Sequence, residues 1–325
     1  MKPRSTPNSL AAALLLLLAG LCSAHAATPD QPWWPHPLWG SGDQAGASNW
    51  ITPAKIKDAV TLVRTGKVYE LGHVYEDGMP QIGRRSYKLV IPSFPTYGPE
   101  LIAGKAVVFN DEFIAGELGQ VGTQFDGPGH VGMVARHTDG SEKITFYNGF
   151  TADELRDPYG LKKLGVEQVK PIVTRGVLID VAGFRGDDTV PGGTAITLAE
   201  IRGALTRQGI DEASLRPGDA LLFNFGWWRH WPKPITTQGP TPYIADEVVA
   251  WIIERQPSMV GSDANLDGPS ASVHTEITLK NGIFNLELMT FEPLLADRAY
   301  EFLFIFTPLR LKGATGSPGR PIAIR

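Results

Sequence analysis

The sequence predicts an α/β fold in one compact layered domain, on three observations. Residues 176–181 and 220–225 are short continuous apolar runs, the pattern of strands covered on both faces. Helical signals alternate with strand signals through the middle of the chain, which favours α/β over an all-β sandwich. No internal repeat, low-complexity tract or change of composition marks a second domain. With 325 residues, 42% hydrophobic and 20% charged, the chain is long enough to bury one large core.

Taken in order, the first element is a leader. Lys2 and Arg4, the apolar run 10–21 and the small residues Ala24 and Ala26 follow the order of a secretory signal, so residues 1–26 are expected to be removed and the protein exported to the periplasm or medium. The run is too short to span a bilayer comfortably, and no later stretch reaches the roughly 18 apolar residues of a membrane helix. The single cysteine, Cys22, falls in the leader, so the mature chain is expected to hold no disulfide, thiolate metal site or cysteine nucleophile.

Residues 27–66 read as an N-terminal arm and first helix. Trp33, Trp34, Trp39 and Trp50 lie in a Pro- and Gly-rich stretch expected to rest on the core, because exposed tryptophans are unusual. Thr52-Pro53 is an N-cap and first-turn pair, Ile56, Val60 and Val63 follow at helical spacing, and Gly66 closes the helix. The main domain, 67–325, opens with a strand near 67–74. Thr197 and Glu200 form a capping box for a helix carrying Ile201 and Leu205. A further helix follows Thr241-Pro242 with Val248, Val249 and Ile252 buried, and leads to a strand at 259–262. The last clear strand is 301–306, ended by Pro308.

A formal charge of −4 supplies no basic surface for nucleic acid or membrane, so a small neutral or weakly charged substrate is the expected partner. A homo-oligomer is left open. No Gly-x-Ser-x-Gly elbow or Walker loop is present.

The densest chemistry lies at 116–132, GELGQVGTQFDGPGHVG. Such glycines let backbone approach a ligand closely. Gln120 and Gln124 offer amide oxygens, Asp126 an anionic oxygen, and His130 either a ligand nitrogen or a general base. If residues 122–126 are extended, Gln124 and Asp126 share one face. Spacing alone equally allows a glycine-rich turn in which Asp126 caps backbone amides.

Residues 120–130, Gln-Val-Gly-Thr-Gln-Phe-Asp-Gly-Pro-Gly-His, resemble the motif His-x-Gly-Thr-His-x-Asp-x-Pro-x-His of the cyclase family of kynurenine formamidase-like and isatin hydrolase-like metal-dependent hydrolases. Gly122, Thr123, Asp126, Pro128 and His130 match at their spacing, while Gln120 and Gln124 stand where the better-known members have histidine. The likeness extends over roughly 68–324, through 71–80, 218–227 and 308–318. It implies a swivelling β/β/α layered fold, a metal site and a catalytic histidine, His130. His274 and Glu287, in a stretch similar to the family's late histidine and glutamate with one extra residue of spacing, would join Asp126 in a divalent site, with Gln120 and Gln124 as further oxygen ligands.

Glutamine oxygens in place of imidazole shift the expected ion towards manganese, with zinc second. The implied chemistry is hydrolysis of a cyclic or aryl amide or a lactone by metal-activated water, with His130 moving the proton. A binding protein that keeps the fold without turnover is the rival reading, and Gln120 and Gln124 favour it. Trp227 and Trp228, after the 220–225 strand where α/β crevices open, are candidate walls of the substrate pocket or core. Glu276 competes with Glu287 as a ligand, and Asp263 and Asp267 are loop residues near the site or turn residues. His73 and His137 read as structural, and 147–149, Tyr-Asn-Gly, has no assigned role.

Overall fold

A nine-stranded mixed sheet organises the chain, in the order Val68–Glu70, Ile322–Ile324, Glu301–Phe306, Ile172–Asp180, Ala220–Asn224, Met259–Ser262, Phe284–Glu287, Gln124–Asp126, Gly316–Pro318. The four strands from Ile172–Asp180 to Phe284–Glu287 are parallel, and antiparallel strands flank them. The structure, a computed structural model, describes residues 32–79, 83–233 and 240–325. The expected leader, residues 1–26, lies outside the described residues. Those from Pro32 onward form one compact unit.

Both faces of the central strands are buried, as their unbroken apolar runs require. Val177, Ile179, Leu221 and Phe223 point to one side, where Ile201, Leu205, Val248 and Ile252 of two helices cover them. Leu178, Ala220 and Leu222 point to the other and meet Phe125, Phe284, Phe302 and Phe304. The two-residue alternation of a strand sorts the run between two cores.

The helix Leu198–Arg207 starts on its capping box: Thr197 Oγ1 accepts from the Glu200 amide, and Glu200 Oε2 accepts from the Thr197 amide at 2.8 Å. The helix Asp246–Arg255 begins later than Thr241-Pro242 suggests. Tyr243–Ile244 first pairs in parallel with Ala195–Ile196, and the helix follows that bridge. In Pro53–Val60, Thr52 caps as expected, but the buried residue is Ala59, and Val60 and Val63 are exposed. The ion pair of Lys55 with buried Asp219 fastens this helix, and a small Ala59 allows close approach to the sheet. Two short strands follow Glu301–Phe306, contrary to its reading as the last. Gly316–Pro318 reaches its place beside Gln124–Asp126 because Gly316 has no Cβ, which would stand 2.5 Å from Gln120 Nε2 and 2.7 Å from the Phe125 carbonyl.

The N-terminal arm lies on the core as the tryptophans predict, with Trp39 and Trp50 packed against it. The Tyr-Asn-Gly element at 147–149 pins it. Asn148, at φ +56°, accepts from the His36 amide at 2.7 Å and donates to the Gly40 and Asp43 carbonyls, while the Tyr147 hydroxyl donates to Asp43.

Candidate functional site

The site is built across one pair of antiparallel strands. Gly122, at φ +59°, turns the chain into Gln124–Asp126, a conformation glycine adopts without steric cost. Asn285 stands opposite Asp126 and Glu287 opposite Gln124. Side-chain alternation sends Phe125 into the core, so Gln124 and Asp126 share the other face with Asn285 and Glu287.

All four side chains are buried and bonded to one another. Asp126 accepts from Gln120 Nε2 and Asn285 Nδ2, each at 3.2 Å. Glu287 accepts from Gln124 Nε2 at 3.0 Å and from Asn285 Nδ2 at 2.9 Å. His274 enters on the helix Val273–Lys280, which is wound as a π-helix. His274 Nε2 lies 3.4 Å from Asp126 Oδ2, and its Nδ1 pairs with Asp267 Oδ2. Asp267 also accepts from the Val273 amide at 2.7 Å, so it fixes the ring with Nε2 aimed at Asp126. His130 approaches from the other side, its Nε2 3.6 Å from Asp126 Oδ1.

Charge is crowded here. Burial, and then the Asp126 charge, push Glu287 above the usual carboxylate range. Burial opposes ionisation of Asp126 too, but the neighbouring His130, the His274 hydrogen bond and charge, and the Gln120 amide outweigh it and hold its carboxyl low. Burial lowers His130, with the His274 charge adding to it against the pull of Asp126, so His130 is favoured as a neutral imidazole. For His274 burial is overcome by its contacts with Asp126 and Asp267, and its pKa is pushed up to about 11. In this state an imidazolium stands where a cation is wanted.

A divalent ion fits the donor set. Ligand atoms of Asp126, His130 and His274 lie within 4.8 Å of one another. Gln120 Oε1, Gln124 Oε1 and Asn285 Oδ1 are buried without a hydrogen-bond partner. Each of these amides spends its NH2 on a carboxylate, and a buried unpaired acceptor costs about 1–3 kcal/mol. Neutral oxygens, carboxylates and imidazole together suit a divalent cation.

The structure thus brings together Gln120, Gln124, Asp126, His130, His274 and Glu287. His130, read from the family pattern as a proton carrier, stands with Asp126 and His274 as the converging trio, while Glu287 is engaged by Gln124 and Asn285. Glu276 turns away to Lys280 at 2.7 Å. His137 bonds Thr145. His73 is closer to the site than its structural reading suggests: its amide donates to Thr123 Oγ1 at 2.9 Å, and its ring stacks on Trp231 at 4.2 Å.

The aromatic cluster divides. Trp227 is 5% exposed and its indole N–H donates to the Val190 carbonyl at 2.8 Å, which makes it chiefly core. Trp228 Nε1 is buried without an acceptor. Trp228 lines a small cleft with His73, Trp227, Trp231, Asp263 and Leu288. Asp263 anchors that cleft by accepting from the Phe225 and Trp228 amides.

Sequence reasoning missed Asn285 and left Asp267 between two roles. The family stretch 274–287 contains Asn285, but only strand register shows that it bridges the two carboxylates. For Asp267, spacing to His274 was the available signal.

A layered α/β protein with a buried carboxylate, histidine and amide cluster is the class that fold and site define. The chain belongs to the cyclase family, whose model matches residues 25–266. A crystal structure described as a novel cyclase is 30% identical, with a TM-score of 0.75, covering 88% of this chain and 98% of its own. Isatin hydrolase A from Ralstonia solanacearum shares the fold at 18% identity and a TM-score of 0.55, covering 80% of this chain and 92% of its own. An isatin hydrolase bound to the product analogue thioisatinate does so at 16% and 0.53, covering 83% and 94%. No curated protein matches.

Proposed function

We propose that this protein is a metal-dependent hydrolase that opens a cyclic or aryl amide or a lactone, exported to the periplasm or medium. The observation that carries the reading is the convergence of Asp126, His130 and His274 beside three buried amide oxygens without donors. Asp126 and His274 would hold the ion, with Gln120, Gln124 and Glu287 around it, and manganese suits this oxygen-rich set better than zinc. When bound, such an ion supplies Lewis-acid activation of water and of the carbonyl under attack.

The chain's own residues do the rest. His130, favoured neutral by burial, accepts a proton at Nε2 and returns it to the leaving nitrogen or oxygen. Asp267 holds the His274 ring in place. Asn285 keeps Asp126 and Glu287 from separating. Trp228, whose buried indole N–H lacks an acceptor, lines a small aromatic cleft and is the proposed wall of the substrate pocket. Isatin hydrolases among the proteins of like fold support a ring-bearing substrate.

The test is a panel of lactones, formamides and isatin-like cyclic amides incubated with protein and manganese and read by acid release. Turnover of none of them, with tight binding of one, would favour the rival reading of a small-molecule-binding protein. That reading has an observation of its own: the glutamine amides already satisfy both carboxylates. Export is tested by intact mass of protein recovered outside the cytoplasm, which should start at or near Ala27.

A further inference from the structure

Arg85 stands half-buried at the edge of the carboxylate and histidine cluster. Its guanidinium donates to the Gln120 carbonyl at 3.2 Å, and the Gln120 side chain donates to Asp126 at 3.2 Å. One glutamine therefore spans the gap between guanidinium and cluster. His130 lies on the same flank, 3.6 Å from Asp126, and the Arg85 charge opposes its protonation.

The guanidinium is short of partners. Arg175 and Arg255, also half-buried, meet Glu301 at 2.5 Å and Glu212 at 2.7 Å. Arg85 forms no ion pair among the described residues, and 80–82 and 234–239 contain no acid. Glu117 is the nearby carboxylate, and its Oε2 is taken by the Ser86 amide at 2.7 Å and the Ser86 hydroxyl at 3.2 Å. Arginine carries its N–H donors in a fixed fork that fits a carboxylate, and the Gln120 carbonyl engages only one of the guanidinium nitrogens. A charge half-withdrawn from water without a counter-ion costs free energy that an incoming anion offsets.

We infer that Arg85 binds a carboxylate carried by the substrate and so selects anionic amides or lactones over neutral ones. The inference rests on the hydrolase reading and narrows its substrate class. Gln120 stands between the guanidinium and Asp126, so the recognised group is separate from the bond under attack, and Arg85 is a specificity residue. Tyr75 and Trp231, half-buried in one apolar cluster with Tyr87, which lies just beyond Arg85 in the chain, give apolar surface for the ring that joins the two groups. The chain carries a net charge of −4, so a local cation is needed to hold an anion beside the two buried carboxylates.

The experiment uses the full chain with manganese, and calorimetry with matched unreactive probes: meta- and para-acetamidobenzoate, each against its neutral acetamidobenzamide. Wild type should bind the better carboxylate at least about ten-fold more tightly than its neutral partner, the worth of one charge-assisted contact. Arg85→Gln should bring the two within about two-fold of each other, and Arg85→Lys should restore part of the difference. Lys88→Gln, which removes an equal charge from an exposed side chain paired with Asp77, should keep all of it. If circular dichroism shows Arg85→Gln misfolded, Arg85→Met takes its place. No preference in wild type, or a preference that survives the loss of Arg85, overturns the inference. Turnover separates it from the reading on which it rests. If the formamide counterparts of the probes release no acid while the preference and its loss are both seen, the hydrolase reading fails and Arg85 keeps its role. If charged and neutral formamides are hydrolysed and bound alike, the hydrolase reading stands and the role of Arg85 is lost.

Discussion

Gln124 and Glu287 stand directly opposite each other on antiparallel strands, and the Gln124 amide donates to Glu287 Oε2 at 3.0 Å. The bond uses the NH2 of Gln124 and leaves its Oε1 buried and unpartnered. Gln124 therefore holds the acid with one end and offers an oxygen with the other.

That division underlies the proposed preference for manganese. Mild chelation should abolish activity, and manganese should restore it better than magnesium, because His274 keeps the site from being purely hard. Metal content by mass spectrometry and thermal unfolding give readouts besides activity; ion at 100 times its Kd should add about 2.7 kcal/mol of stability. Gln124→His should shift preference towards zinc. Full activity after complete removal of metal would refute the reading.

His130 and Asp126 are expected to separate by role. His130→Ala should keep the ion and lose about two to four powers of ten in turnover, whereas Asp126→Ala should lose the ion. Loss of the ion from His130→Ala would make His130 a ligand, a role its position in the trio also allows.

Thr123 ties the early strand to the site. Its Oγ1 accepts from the His73 amide and donates to the Leu288 carbonyl at 2.6 Å, fully buried. Thr123→Val keeps the shape and strands both backbone groups, so denaturant unfolding should report a loss of about 1–3 kcal/mol. A neutral outcome would mean that the backbone repairs both bonds.

Asp263 predicts a pH dependence of stability. Burial pushes its carboxyl up to about 7, against the backbone amides that bond it. The folded state therefore keeps a proton that the unfolded chain releases at the ordinary pKa of 3.8. Its contribution is full below that value and declines as pH rises through about 7. Asp263→Asn should flatten the stability profile across this interval. An unchanged slope in urea titrations at a series of pH values would show that Asp263 is ionised in the fold.

Much of the architecture was legible because it rests on local rules. The apolar run at 220–225, the capping box Thr197–Glu200 and the strand at 259–262 each depend on neighbours in sequence and formed where expected, while the run at 176–181 lies in a strand, Ile172–Asp180, that starts four residues earlier and gives way to a helix at Val181. The helix face read from Ile56, Val60 and Val63 did not form as read, because spacing alone cannot show that the helix meets the sheet through Ala59 and is fastened by Lys55 on Asp219.

The sequence by itself determined which groups are available at the site: Gln120, Gln124, Asp126 and His130 at fixed intervals, and the alternation that places Gln124 and Asp126 on one face. Only the tertiary structure decided their partners. Asn285 bridges Asp126 and Glu287 because two strands more than 150 residues apart in sequence pair in one register, and a shift of one residue would turn Glu287 to the opposite face. His274 meets Asp126 because a π-helix and Asp267 aim its Nε2 there. Register and helix winding are settled by packing over the whole sheet, so no local pattern in the chain carries them.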